Sequence, residues 1–290
     1  MTYLPLIILG APRSGTNILR DVLTRLDGLA SWPCDEINPI WRHGNLDFPT
    51  DELPPDLCRS KQVALIHKQF SWVARKYSAE TVVEKTCANC LRVGFVRTAL
   101  PNAKFLSIIR DPEDAICSAI KKSTSTPNLK YILAKAKFVP KIDFPHYSLK
   151  FLKSVINKNK TFVGQKHFWG PVSSEMTKIS TECSHLEKCT QQWIDCVTKS
   201  SEELRKVPQQ NRFQINYEDF VMKPKSILSE ALAHLNIRHS EKQLEQAVED
   251  VSISSLGRSQ TELDRSEITR IRILLSTNLN LREAGFEFGS

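Results

Sequence analysis

Gly10-Ala11-Pro12-Arg13-Ser14-Gly15-Thr16-Asn17 is where residue types and spacing point most directly to chemistry. An apolar run, Leu4 to Leu9, precedes it, and apolar residues at helical spacing follow from Leu19 to Leu23. A strand, a Gly-rich turn and a helix in that order aim free backbone N–H groups and a positive helix end at a phosphate. Gly10 and Gly15 have the separation of the nucleoside-triphosphate loop G-x-x-x-x-G-K-[ST]. The next two positions depart from it. Thr16 replaces the lysine that reaches β and γ phosphates, and Asn17 replaces the hydroxyl that holds magnesium. The loop therefore suits an anion without a γ-phosphate and without a required metal.

Three further groups could work beside it. Phe105 to Ile109 reads as a strand ending in Arg110-Asp111-Pro112, and Ser118 follows Arg110 by eight residues. A guanidinium fork with a hydroxyl suits a dianionic phosphate. Val82-Val83-Glu84-Lys85-Thr86 is a second strand end, whose Lys85 can neutralise charge growing on a leaving oxygen. Glu36, in Trp32-Pro33-Cys34-Asp35-Glu36-Ile37, can take a proton if burial raises its pKa. Asp35, His43 and His67 are competing bases.

The loop Pro12 to Thr16, the strand end E-K-T and the order strand-R-D-P-x5-S together resemble the sulfotransferase family, whose donor is 3′-phosphoadenosine 5′-phosphosulfate (PAPS). The resemblance implies a P-loop NTPase-like sulfotransferase fold and a PAPS-dependent enzyme releasing 3′-phosphoadenosine 5′-phosphate (PAP), with no metal required. It places Arg13, Ser14, Gly15, Thr16 and Asn17 on the 5′ side of the donor, and Arg110 and Ser118 on its 3′-phosphate. Asn216-Tyr217-Glu218-Asp219 resembles the family's Y-E-D-L strand end, which makes Tyr217 a nucleotide contact. Ser255-Leu256-Gly257-Arg258-Ser259 stands where the family has a basic Gly-rich loop, without its R-K-G-x-x-G-x-W form, and offers Arg258 as a donor ligand. Trp169-Gly170-Pro171 resembles a W-G-P element of some bacterial members. Many small-molecule sulfotransferases keep a His near the strand end that here reads Glu84-Lys85-Thr86, so the catalytic pair expected is Glu36 as base and Lys85 as cation. This is nearer to the bacterial and tyrosylprotein or carbohydrate-type groups. The acceptor implied is a hydroxyl, on an acidic glycan or a peptide tyrosine, with a small alcohol as a further option. The alternatives are a nucleotide kinase or NTPase with a degenerate loop, and a non-catalytic nucleotide-binding scaffold.

These residues need a scaffold that brings strand ends together. The pattern predicts strands at 4–9, 81–84, 105–109 and 213–216. It predicts helices at 16–27, 60–77, 87–99, 113–122, 226–235 and 241–250, with a turn at 217–219. Such alternation predicts a three-layer α/β/α fold with a central parallel sheet. The expected organisation is one domain over 1–290 with a helical insert at about 121–185. Within that insert, residues 121–166 hold eleven Lys, no Arg and one acid, Asp143. This stretch reads as a solvated lysine face or as a surface for an acidic acceptor; nucleic acid is not expected.

Composition sets outer limits. The 290 residues are 41% hydrophobic and 25% charged, ordinary for a globular protein, with a net charge of +8 that suits an anionic ligand. No apolar run approaches the ~20 residues that cross a bilayer, and the first residues show no secretory signal, so a cytoplasmic protein is expected. Eight scattered Cys in a chain of this length predict free thiols, and the lone Cys87-x-x-Cys90 pair predicts neither zinc nor redox chemistry.

Overall fold

Five strands, β1 (Leu4–Leu9), β2 (Leu29–Ala30), β3 (Thr81–Lys85), β4 (Lys104–Ile109) and β5 (Arg212–Asn216), pair in parallel in the order β2-β3-β1-β4-β5. The structure, a computed structural model, describes residues 3–124, 135–149, 170–179 and 183–286. The helices that bear on the argument are α1 (Thr16–Leu23), α2 (Asn38–Trp41), α3 (Ser60–Lys76), α4 (Val93–Ala99), α5 (Pro112–Thr124), α6 (Ser174–Lys178) and α7 (His185–Arg205). They continue with α8 (Tyr217–Met222), α9 (Pro224–His234), α10 (Glu241–Ala247), α11 (Arg258–Glu262) and α12 (Arg265–Ser276).

Successive strand residues point to opposite faces, and both faces are covered. Ile7, Leu9, Val82 and Phe105 pack with Phe70 of α3, Val96 of α4, Ile116 of α5, Trp193 of α7 and Ile271 of α12. Leu6, Ile8, Val83, Leu106 and Ile215 pack with Leu19 of α1, Phe220 of α8, Leu232 of α9 and Leu244 of α10. This is the expected α/β fold around a parallel sheet. β1 lies between β3 and β4, so the loop after β1 emerges between the ends of the E-K-T and R-D-P strands. Crevices beyond the carboxyl ends of parallel strands are where such sheets bind ligands.

Several elements differ from the sequence pattern. The expected helix 87–99 is broken: Cys87–Leu91 is a 3-10 turn, and α4 begins after Arg92. Arg92 is drawn inward, donating to Asn89 Oδ1 at 2.8 Å and Asn38 Oδ1 at 2.6 Å, which pulls its backbone out of the helical region. The expected turn at 217–219 opens α8, because Asn216 Oδ1 accepts the N–H groups of Glu218 and Asp219 and caps it. Helix α1 stops at Leu23 and α10 at Ala247, both short of the predicted ends. The two-residue β2 carries too little pattern to be read in advance. Much of the expected insert, and Trp169, lie outside the described residues.

Candidate active site

The loop after β1 folds as a tight turn with two residues in the left-handed region. Gly10 N–H donates to Cys90 Sγ at 3.1 Å, so the C-x-x-C segment is the floor of the loop. Ser14 N–H closes the turn onto Ala11 O at 3.1 Å. Arg13 (φ 71°) and Gly15 (φ 88°) both adopt the left-handed region, unusual for a residue with a Cβ such as Arg13. Gly15 has a second constraint: a Cβ there would lie 2.4 Å from the Tyr217 ring. Only glycine allows both the backbone turn and the close ring. Thr16 opens α1, and Asn17 is exposed beside it.

Arg110, at the end of β4, is 5% exposed. Its Nη1 donates to Arg13 O at 3.1 Å, and its Nη2 donates to Ser255 O and, at 3.3 Å, to Asp114 Oδ2. The guanidinium lies 4.7 Å from the Tyr217 ring centre, and Tyr217 Oη is 2.5 Å from Ser255 Oγ. Arg13 Nε donates to Ser118 Oγ at 2.9 Å. Burial lowers the Arg13 pKa, as does the repulsion of Arg110 and Arg258, so three cations gather around this end of the loop. Asp114 fixes the third. Its Oδ2 accepts Gly257 N–H at 2.8 Å and its Oδ1 accepts both the N–H and the hydroxyl of Ser259 at 2.8 Å. Two buried polar atoms, Ser14 Oγ and Arg110 Nε, have no hydrogen-bond partner among the described residues. Orphaned buried donors call for an acceptor. Here they fit an anion such as a nucleotide phosphate.

The carboxylate and lysine meet on the other side of the loop. Lys85 Nζ, on a 3% exposed side chain, is 3.1 Å from Glu36 Oε1 and 3.2 Å from Asp35 Oδ1. Glu36 Oε1 also accepts Cys87 N–H at 3.3 Å, and Lys135 Nζ stands 3.6 Å from its Oε2. Cys87 Sγ is 3.8 Å from Thr16 Oγ1, which ties this pair to the anion loop. Thr86 sets the register: its hydroxyl donates to Glu84 Oε1 at 2.5 Å and accepts Ile37 N–H at 3.2 Å. Glu84 itself is wholly buried, which pushes its pKa up to about 7, and Asn89 Nδ2 donates to its other oxygen at 2.7 Å.

The electrostatics bear on the condition set for Glu36, that burial raise its pKa. Burial raises the Glu36 pKa, but the charges of Lys85 and then Lys135 outweigh it, and the net shift is downward. Lys85 is pushed upward: burial opposes its charge, and its anionic neighbours, Glu36 and Asp35 among them, overcome that. The result is an ionised pair.

The competing bases are separated by their partners. His67, on α3, is 2.8 Å from the hydroxyl of Tyr3, which precedes β1 and so marks the far end of the sheet. His43 Nδ1 is 2.8 Å from Asp143 Oδ2. Asp35 is held by Arg20 at 2.9 Å as well as by Lys85. All eight cysteines are free thiols. Among the described residues no cluster of three metal-ligating side chains occurs, and no helix is long and apolar enough to cross a membrane.

Residues 5–139 match the model of the sulfotransferase family. This region is of the sulfotransferase family. It contains the anion loop, the E-K-T and R-D-P strand ends, Glu36 and Lys135. The whole chain is similar to a sulfotransferase domain from the curacin biosynthetic pathway (16% identity, 96% of this chain and 99% of that one, TM-score 0.56). It is also similar to a sulfotransferase from Alicyclobacillus acidocaldarius (16%, 99% and 98%, TM-score 0.55) and to a mouse sulfotransferase complexed with PAP (15%, 96% and 85%, TM-score 0.51). At these identities the likeness is one of fold. No curated protein matches the sequence.

Sequence reasoning missed Asp114, Lys135 and the Cys87 N–H. Asp114 belongs to no recognisable motif, and its partners lie about 145 residues away. Lys135 was one lysine among eleven.

Proposed function

We propose that this protein moves a sulfuryl group from PAPS to the hydroxyl of an acceptor by in-line displacement. The observation that carries this reading is the arrangement around one loop. A pair of buried Lys85 and half-buried Glu36 stands on its β3 side, and an Arg13–Ser118–Arg110 cluster with unpaired donors stands on its β4 side. When bound, PAPS supplies the sulfuryl group and a bisphosphate leaving group. Ser14, Gly15, Thr16 and Asn17 hold its 5′ side, and Arg13, Arg110, Ser118 and Arg258 hold its 3′-phosphate, with Tyr217 beside the nucleotide. Lys85 neutralises charge on the departing oxygen. As Lys85 turns to that charge, Glu36 loses its strongest partner, its proton affinity rises, and it takes the acceptor's proton. Lys135 adds a cation beside Glu36. That lining favours an acidic glycan or a peptide tyrosine as the acceptor.

Calorimetric titration tests the donor class. PAP is expected to bind without metal and more tightly than ADP or Mg-ATP. Preference for Mg-ATP would make this a kinase-like protein, and binding of none of the three would leave a scaffold. For the base, Glu36→Gln is expected to keep PAP affinity and lower turnover by about 10²-fold or more. Because the lysines hold Glu36 below the usual carboxylate value in the free protein, the acid limb of wild-type kcat/KM should fall below the ordinary glutamate range. An acid limb near neutrality would assign the base to a histidine.

A further inference from the structure

Residues 121–166 hold eleven of the chain's forty Lys and Arg and one of its thirty-two acids, a net of +10 against +8 for the whole chain. The rest of the protein is therefore slightly acidic, and the basic character is local. Within this stretch, residues 135–149 have a distinct inner and outer side. The inner side is anchored: Lys135 on Glu36, Phe138 edge-on to Trp72 with ring centres 5.6 Å apart, and Asp143 on His43 at 2.8 Å. Asp143, the single acid of the stretch, is thus turned inward and only 5% exposed. The outer side carries exposed Lys137 and Lys141 together with Ile142, Phe144 and Leu149, which are 78%, 50% and 54% exposed. Three of the eight exposed large apolar side chains among the described residues fall within these few positions.

We propose that the outer side of residues 135–149 docks on a lipid bilayer bearing anionic headgroups. Lysines beside protruding apolar side chains, with the one acid removed, are what such an interface takes up: headgroups meet the ammonium groups, and the acyl boundary receives the apolar ones. A polyanion such as nucleic acid has no use for aliphatic Ile142 and Leu149, and its common partner, Arg, is missing from the stretch. A folded partner would have to supply a shaped groove for these projecting side chains, whereas a bilayer needs none. Docking brings the Glu36 end of the site toward the headgroups, since Lys135 belongs to the same segment. The inference does not depend on sulfuryl transfer, because binding is read without nucleotide.

Co-sedimentation of the full chain with vesicles tests it. Binding to phosphatidylserine-containing vesicles is expected to exceed binding to phosphatidylcholine vesicles by about tenfold and to weaken with salt. Ile142→Ser with Phe144→Ser should lower it by about tenfold or more, the scale of losing buried apolar side chains. Lys137→Gln with Lys141→Gln should lower it and flatten the salt dependence. Thermal unfolding and circular dichroism check that each variant is folded. In the wild type, amides of 137–149 should exchange more slowly when anionic vesicles are added, a readout that needs no variant. No binding to anionic vesicles, binding indifferent to the apolar changes, or unchanged exchange over 137–149 would overturn the proposal. So would tight binding to an oligonucleotide or to heparin with none to vesicles, which would make the surface a polyanion site.

Discussion

Lys85→Met is expected to lower turnover by about a thousandfold while PAP binding changes little. Removing a donor that stabilises developing charge costs about 10²–10³ in rate, and here the same change also disturbs the base. With the ammonium gone, half-buried Glu36 and Asp35 keep Lys135 and Arg20 as their cations. Their pKa values rise, and part of the protein's stability is lost, because two half-buried carboxylates then share less positive charge. A Lys85→Met, Glu36→Gln double variant separates the two effects. It should recover thermal stability relative to Lys85→Met and recover no turnover. Wild-type single-turnover rates in Lys85→Met would remove the lysine from the chemistry.

The second large effect concerns the donor. Arg110→Ala is expected to weaken binding of PAP by about 100-fold, while ADP, which lacks the 3′-phosphate, loses only a few-fold. A hydrogen bond to a charged group is worth about 1.5–3 kcal/mol, and Arg110 is buried with its Nε unpaired beside Arg13 and Ser118. The guanidinium also braces the 254–259 loop through Ser255 O and packs on Tyr217. Some loss common to both nucleotides is therefore expected, and the difference between them reads the 3′-phosphate contact. Equal losses would reduce Arg110 to a brace. Titration of both nucleotides against wild type and variant decides it.

Pattern legible in the chain picked out the loop after β1, both strand ends and Glu36, and the structure gathers them around that loop. The failures are of a particular kind. Periodicity predicts a helix over 87–99, yet Arg92 breaks it because its side chain finds Asn89 and Asn38 in the interior. The condition that burial raise the Glu36 pKa is not met, because Lys85 and Lys135 arrive from residues 49 and 99 positions on and shift it downward. Nothing in the sequence marks Asp114, since an acid in the first turn of a helix is ordinary. Its value lies in clamping Gly257 and Ser259.

Short-range order was therefore enough for the fold class and for the local shape of each motif. Strand–turn–helix geometry, a left-handed Gly15 and a guanidinium at a strand end are set by residues within a few positions of one another. Pairing was decided by the sheet. Parallel strands must be joined by long crossovers, so the ends of β1, β3 and β4 become neighbours only once the helices between them have packed. That packing sets Lys85 against Glu36, lays the Tyr217 ring over Gly15, and turns Asp143 inward so that an outer surface of lysine and apolar side chains is left. The fields that set the Glu36 and Lys85 pKa values depend on distances of a few ångström between residues far apart in the chain, and those distances exist only in the folded protein.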